Sequence, residues 1–169
     1  MTRVSTFSFL LLLAPLSQAQ STAPLIADAK QVFSAVKNNI VKAAEKMPED
    51  GYSFKPSPDI RTFGELMAHI ADAQTRMCSS ASGDPKTASA ASKKTKAELV
   101  AALKESVATC DSAWDSLTEA NALTMIKFRN TDRTKLGLMI YNTVHSNEEY
   151  GYAAVYMRVK GVVPPSSEK

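Results

Sequence analysis

Apolar side chains recur every three to four residues in four segments of the chain, the spacing that places them on one face of an α-helix. The first segment covers about residues 25–47 and ends at a proline. The second begins at Thr62 and the third at Thr95; a glutamate follows each threonine by three residues, as in a capping box. The fourth covers about Lys135 to Lys160. No alternating strand pattern competes strongly, so the sequence predicts an all-α four-helix bundle.

The connections between these helices differ in composition. Residues 48–61 are rich in proline and include Tyr52 and Phe54, which we expect to anchor the loop. Residues 79–94 are mostly small and polar, which predicts a flexible segment that does not pack. Residues 121–134 form the last connection, with room for a short extended piece.

The N-terminal apolar run does not belong to the bundle pattern. Residues 7–13 are apolar apart from one serine, and Arg3 precedes them. Ser17 and Ala19 occupy positions −3 and −1 of a cleavage site before Gln20. Because the run is too short to span a bilayer, residues 1–19 are expected to be a cleaved signal peptide and residues 20–169 a single domain. We therefore expect a periplasmic or secreted protein, with no stable membrane anchor after cleavage.

Composition and charge narrow the classes of partner. The chain has 169 residues, of which 44% are hydrophobic, enough for one domain with a core. Its formal net charge is only +3 and no long basic run occurs, so we expect no nucleic-acid partner. Export implies an oxidising compartment, where Cys78 and Cys110 would form one disulfide. The alternative is two separate buried thiols.

The fourth helix carries ionisable residues on its apolar face. On a helical wheel, His145 shares a face with apolar residues on both sides of it, and Glu149 lies about 40° away. Glu148 falls on the flank. The apolar residues on that face are Leu138, Tyr141, Tyr152, Tyr156 and Val159. A buried carboxylate without a partner costs several kcal/mol, so Glu149 needs a hydrogen-bonding partner, a metal ion or a solvent-filled cleft.

The other histidine, His69, lies at the edge of the apolar stripe of the second helix, with Asp72 three residues on. A bundle could bring His69 against His145 and Glu149. Two imidazoles and one carboxylate suit a divalent ion such as Zn, Ni, Fe or Mn. The alternative is a pair of interior histidines satisfied by Glu149, tyrosine hydroxyls or the backbone, and spacing alone favours that alternative.

Two segments carry a family resemblance. MPEDGYSFKPSPDIRTFGELMAHIAD, residues 47–72, resembles the loop and second helix of the DinB-like family. GLMIYNTVHSNEEYGYAAVYMRVKGVVPPSS, residues 137–167, resembles its fourth helix and tail. The resemblance implies an up-down-down-up bundle, in which members often hold a divalent metal with three histidines. His69 and His145 match two of them, but Glu149 replaces the third, which favours harder ions or marks loss of the site.

The implied topology also bears on the cysteines. Parallel second and third helices would place Cys78 and Cys110 toward the same end of the bundle. A disulfide between them requires a Cα separation within about 7 Å.

Two functions remain open from the sequence. The first is a divalent-metal-dependent hydrolase or transferase of unknown substrate, with His69, His145 and Glu149 as ligands and Asp72 orienting His69. Relatives include thiol S-transferases and thiol-linked hydrolases, and export disfavours the thiol chemistry because small thiols are mainly cytosolic. The alternative is a non-catalytic exported bundle that binds a metal, a small ligand or a partner through a degenerate site. A homodimer is compatible with either function.

Overall fold

The computed structural model describes residues 21–168, so the signal peptide predicted for residues 1–19 lies outside the described residues. Four helices and one β-hairpin make up most of this region. The helices are α1 (Ala23–Lys46), α2 (Phe63–Ser82), α3 (Lys96–Asp115) and α4 (Lys135–Val159). The hairpin strands are β1 (Met125–Phe128) and β2 (Thr131–Thr134), and short 3-10 turns cover Glu49–Ser53, Ala90–Ser92 and Pro165–Ser167. The predicted all-α bundle is confirmed, and the short extended piece is the hairpin between α3 and α4.

Capping boxes begin α2 and α3, as the sequence predicts. The Thr62 hydroxyl accepts a hydrogen bond from the Glu65 backbone N–H, and the Glu65 carboxylate accepts one from the Thr62 N–H at 2.7 Å. Thr95 and Glu98 repeat the arrangement. These backbone hydrogen bonds stabilise the carboxylate form and lower the pKa of Glu65 and of Glu98 below the usual value. Each box satisfies two backbone N–H groups that the helix itself leaves unpaired.

Ion pairs along α1 show that it runs antiparallel to α3. The Lys37 ammonium lies 2.5 Å from the Asp111 carboxylate, and Glu45 pairs with Lys104 at 2.7 Å. Positions that increase along α1 therefore meet positions that decrease along α3.

Two contacts, one near each end, show that α2 and α3 run in the same direction. Near the C-terminal ends, Cys78 and Cys110 form a disulfide. Their Cα atoms are 4.9 Å apart, within the expected limit, so the predicted bridge is confirmed over the alternative of two thiols. At the opposite end of the pair, Gly64 near the start of α2 packs against Leu99 near the start of α3.

Hydrogen bonds that link α4 to α2 and to the residues just before it show that these helices are antiparallel. The Tyr156 hydroxyl donates to the Arg61 carbonyl at 2.7 Å, and Gln74 Nε2 donates to Ser146 Oγ at 3.2 Å. Together with the α1–α3 and α2–α3 directions, this gives the up-down-down-up order that the family resemblance implies.

A polar layer separates two apolar clusters in the core. One cluster lies around Phe63 and Met157, and the other around Trp114 and the disulfide. Between them, the side chain of Gln74 is fully buried; its amide oxygen accepts a hydrogen bond from Ser106 while its nitrogen donates to α4. The candidate site lies beside this layer.

The segment between α2 and α3 corrects one prediction. Residues 79–94 were expected not to pack, but α2 continues through Ser82 to Gly83, whose φ of 89° ends the helix in the left-handed conformation. Ala90 is then buried against the bundle. The prediction is wrong because alanines and a buried carboxylate acceptor, Asp72, draw this segment onto α2.

Across residues 21–168, no helix combines the length and the apolar character that a bilayer crossing requires.

Candidate metal centre

The candidate ligands come from the two antiparallel helices α2 and α4. His69 lies on the second turn of α2, while His145 and Glu149 lie one turn apart in the middle of α4. The side chain of Glu149 is only 10% exposed, against 27% for His69 and 19% for His145. The buried carboxylate therefore faces two half-buried imidazoles.

The three side chains converge on one point. His69 Nε2 lies 3.2 Å from His145 Nε2 and 3.3 Å from Glu149 Oε1. The third distance, from His145 Nε2 to Glu149 Oε1, is 3.6 Å. Among the residues that the structure describes, these three form the group whose ligand atoms could hold a metal ion.

The spacing of these atoms fits a tetrahedral ion. Two ligands about 2.0–2.1 Å from a tetrahedral zinc ion are roughly 3.3–3.4 Å apart, and the observed distances bracket that value. The point equidistant from the three atoms in their plane is roughly 2.0 Å from each, and points just off the plane are slightly farther, which suits Zn–N and Zn–O bonds. Both the geometry and the chemistry of the donor set therefore fit a divalent ion.

The pKa of His69 lies below its usual value. Partial burial is the main cause, because it disfavours the charged imidazolium, and the Arg61 guanidinium adds repulsion. The Glu149 carboxylate acts in the opposite direction. The neutral imidazole that a metal ligand requires is thus favoured at His69.

The Nδ1 atom of His145 is buried and has no hydrogen-bond partner among residues 21–168. A metal-bound histidine usually donates its second N–H to a carboxylate or carbonyl, which orients the ring. Here the described side chains and backbone supply no such acceptor. The orientation of the His145 ring depends instead on packing and on the contacts of Nε2.

Asp72 has a different role from the expected one. Its two carboxylate oxygens accept hydrogen bonds from the backbone N–H groups of Ala90 at 2.7 Å and Ala91 at 3.2 Å. The prediction that Asp72 orients His69 is wrong. The carboxylate instead anchors the 3-10 turn before α3, and these two N–H donors explain how it is buried without a cationic partner among residues 21–168.

The buried face of α4 also differs from the predicted one. Leu138 and Tyr156 are buried, but the other apolar residues assigned to that face, Tyr141, Tyr152 and Val159, are exposed. The helix is rotated so that its buried centre carries Asn142, Ser146, Glu149, Ala153 and Met157. The helical wheel assigned the buried face from the apolar side chains alone. In the structure, small polar residues of α4 also lie in the core, because they belong to its polar layer. Consequently His145 lies at the edge of the buried face and Glu149 near its centre.

Glu148 lies outside the cluster, as predicted. It is exposed, and its carboxylate accepts a hydrogen bond from the Tyr152 hydroxyl at 3.1 Å. The two adjacent glutamates therefore have distinct environments, which makes Glu148 a natural control for Glu149.

Two cavities meet at the cluster. The larger has a volume of about 1330 Å³ and is lined by His69, Glu149 and Tyr156, together with the loop before α2. The smaller has a volume of about 260 Å³ and is lined by His69, His145 and the hairpin. His69 lines both cavities, Glu149 the larger one and His145 the smaller one, so each candidate ligand borders open space, as in a catalytic site that keeps open coordination positions.

Sequence reasoning missed three arginines that line the smaller cavity, Arg76, Arg129 and Arg133. Arg76 follows His69 by seven residues, which is two turns along the same helical face, so a signal was present for it. The other two arrive from the hairpin, and no local pattern links them to the histidines.

Comparison with known proteins agrees with this architecture. A family model described as the DinB superfamily matches residues 33–153. A DinB-like protein from Bacillus cereus has 16% sequence identity and a TM-score of 0.73, over 83% of this chain and 95% of that one. A DinB-like protein from Bacillus subtilis has 23% identity and a TM-score of 0.65, over 79% and 92% of the two chains. At these identities the two structures support the fold. A search of curated protein sequences finds no significant match.

Proposed function

The chain belongs to the DinB superfamily, and we propose that it is a divalent-metal-dependent hydrolase or transferase that acts on a small molecule. His69, His145 and Glu149 would be the metal ligands. The observation that carries the proposal is the convergence of their three ligand atoms, 3.2–3.6 Å apart, where two cavities meet.

The number of ligands favours a reactive site over a structural one. Structural zinc sites are generally closed by four protein ligands, whereas catalytic sites use three and leave a position for water or substrate. The described residues supply three, and the larger cavity leaves room beside them for a small molecule.

The chemistry of the ligands defines what the site would do. A divalent ion bound there would lower the pKa of a coordinated water or thiol and polarise a substrate carbonyl or phosphoryl group. Glu149 contributes a negative charge that a third histidine would not, which favours harder ions such as Mn or Fe relative to an all-histidine set. The hydroxyl of Tyr156, on the cavity wall, is held by the Arg61 carbonyl and shapes the cavity beside the cluster.

We propose that the protein acts in the periplasm or outside the cell. Support comes from the apolar run at residues 7–13 and from the Cys78–Cys110 disulfide, which persists in oxidising compartments. Hydrolysis is favoured over thiol transfer there, because small thiols are mainly cytosolic. The intact mass of the protein recovered from cells tests this part: a chain beginning at Gln20 is expected, and a chain retaining residues 1–19 would contradict export.

Metal content tests the site directly. The protein, purified without a histidine tag, is incubated with Zn, Ni, Fe or Mn, freed of excess ion and analysed by elemental mass spectrometry. We expect one ion per chain in the wild type and a loss of that ion in both His69→Ala and His145→Ala. Asn147→Ala is the matched control, since Asn147 is an exposed polar residue on α4 close to His145. A wild type that retains none of these ions would overturn the proposal.

A second candidate function is a non-catalytic bundle with a degenerate site. Two observations favour it: Glu149 replaces the third histidine of the family pattern, and His145 Nδ1 has no acceptor among the described residues. A stoichiometric ion without any metal-dependent turnover of ester, amide or phosphoester substrates would select this alternative.

A further inference from the structure

The smaller cavity is strongly basic. Arg76 of α2, Arg129 of the hairpin turn and Arg133 of β2 all line it, next to His69 and His145. No aspartate or glutamate of residues 21–168 lines it. Three guanidinium groups around one pocket repel each other, so the arrangement favours an anion between them.

The arginines have no anionic partner within the described part of the chain. None of the three forms an ion pair there, although other basic residues such as Lys37 and Lys104 do. Their guanidinium groups also make no hydrogen bond to a protein acceptor across residues 21–168. Arg76 and Arg133 are partly buried and Arg129 is exposed, and in this state their N–H groups retain their capacity for a ligand with negatively charged oxygen atoms.

Aromatic contacts hold two of these arginines in place. The Arg133 guanidinium carbon lies 4.3 Å from the centre of the Tyr141 ring, and that of Arg129 lies 5.6 Å from the Phe128 ring. A guanidinium held against an aromatic face keeps its planar N–H groups free for hydrogen bonds. The positions of these charges are therefore set by the fold before any ligand binds.

Arg129 occupies a position where the backbone disfavours it. The hairpin pairs Phe128 with Thr131, which leaves Arg129 and Asn130 as a two-residue turn. Arg129 has a φ of 55°, in the left-handed region where glycine is preferred, and it is the only non-glycine residue with positive φ in the described range. Such strained residues concentrate at functional sites. The backbone geometry of the turn would favour glycine, so it does not by itself account for an arginine at this position.

We propose that this pocket binds the oxyanion group, a carboxylate or a phosphate, of a small-molecule ligand whose reactive part lies at the His69–His145–Glu149 cluster. The volume of about 260 Å³ suits such a group rather than a whole ligand. The assignment of this ligand as the substrate rests on the proposed function, but the binding of the anion does not. The arginines would position the ligand, and the larger cavity would hold the rest of it.

Titration calorimetry on the metal-free protein tests the pocket without interference from a bound ion. The probes are inorganic phosphate and succinate, each added at constant ionic strength and neutral pH. We expect at least one of them to bind, and Arg76→Gln and Arg133→Gln each to weaken that binding roughly tenfold or more. Binding of phosphate alone would indicate a phosphate-bearing ligand, and binding of succinate alone a carboxylate-bearing one.

Arg158→Gln is the control for loss of a positive charge, because Arg158 lies at the far end of α4 and bonds Ser167. It should bind the probes as the wild type does. Arg129→Gly should weaken binding while raising the melting temperature, because glycine relieves the strained φ; a purely structural arginine would not show the first effect. Absence of binding by both probes, or wild-type affinity in Arg76→Gln and Arg133→Gln, would overturn the proposal. Metal stoichiometry, measured separately on the same variants, should stay at the wild-type value.

Discussion

At the scale of single residues, Glu149 determines what the candidate site can bind. Its Oε1 lies within 3.6 Å of both imidazole Nε2 atoms, and its side chain is almost entirely removed from solvent. A carboxylate removed from water in this way is costly unless a positive charge or hydrogen-bond donors compensate it. A bound divalent ion would compensate its charge fully.

The change Glu149→Gln tests this role while keeping the volume of the side chain. Removing the negatively charged ligand should weaken binding of Zn or Mn by at least the roughly 10–100-fold that loss of outer-shell support alone costs. Competition with a chromogenic chelator measures the dissociation constant. Glu148→Gln, on the exposed flank of the same turn, should leave it unchanged. Equal affinities in the two variants would remove Glu149 from the ligand set.

At the scale of elements, the beginnings of the helices follow from short local patterns. Both capping boxes form as the sequence predicts, because the threonine and glutamate act within four residues of chain. The start of α4 is also set by a local contact, because the Thr134 hydroxyl accepts a hydrogen bond from the Gly137 N–H. By contrast, which face of α4 is buried depends on the helices around it, and the apolar pattern predicted that face incorrectly.

The change Thr62→Ala tests the contribution of the cap that starts α2. Loss of the hydroxyl acceptor leaves the Glu65 N–H without its partner, which should lower the free energy of unfolding by about 0.5–2 kcal/mol. For a domain of this size, a loss of 1 kcal/mol lowers the melting temperature by roughly 2–4 °C. Thr118→Ala, in an exposed turn after α3, is the control and should change the melting temperature little. Equal melting temperatures of Thr62→Ala and the wild type would contradict the role of the cap.

At the scale of the whole molecule, the parallel direction of α2 and α3 brings distant residues together. It places Cys78 beside Cys110, and the antiparallel α4 then brings His145 and Glu149 against His69. The disulfide joins α2 to α3 and the candidate site joins α2 to α4, so α2 carries residues of both, and the bridge limits how far it can move relative to α3.

The double variant Cys78→Ala/Cys110→Ala tests the bridge. The disulfide links cysteines that are 32 residues apart in the sequence. For a loop of this length, the chain-entropy model gives a stabilisation of about 3–4 kcal/mol. Thermal unfolding should show a melting temperature lower by roughly 6–16 °C. A reductant should destabilise the wild type to a similar extent and leave the variant unaffected. A wild type that is insensitive to the reductant, once its thiols are shown to be free, would contradict the assignment.

The sequence by itself determined the helices and the capping boxes that begin α2 and α3, because periodicity and capping act over a few residues. The spacing of His145 and Glu149, one turn apart, was visible in the same way. Only the tertiary structure decided that His69 joins them and that Asp72 instead holds the turn at Ala90. It also brought the hairpin arginines to the same place. These contacts join residues about 18 to 80 positions apart along the chain, and packing between whole helices sets them rather than any local pattern.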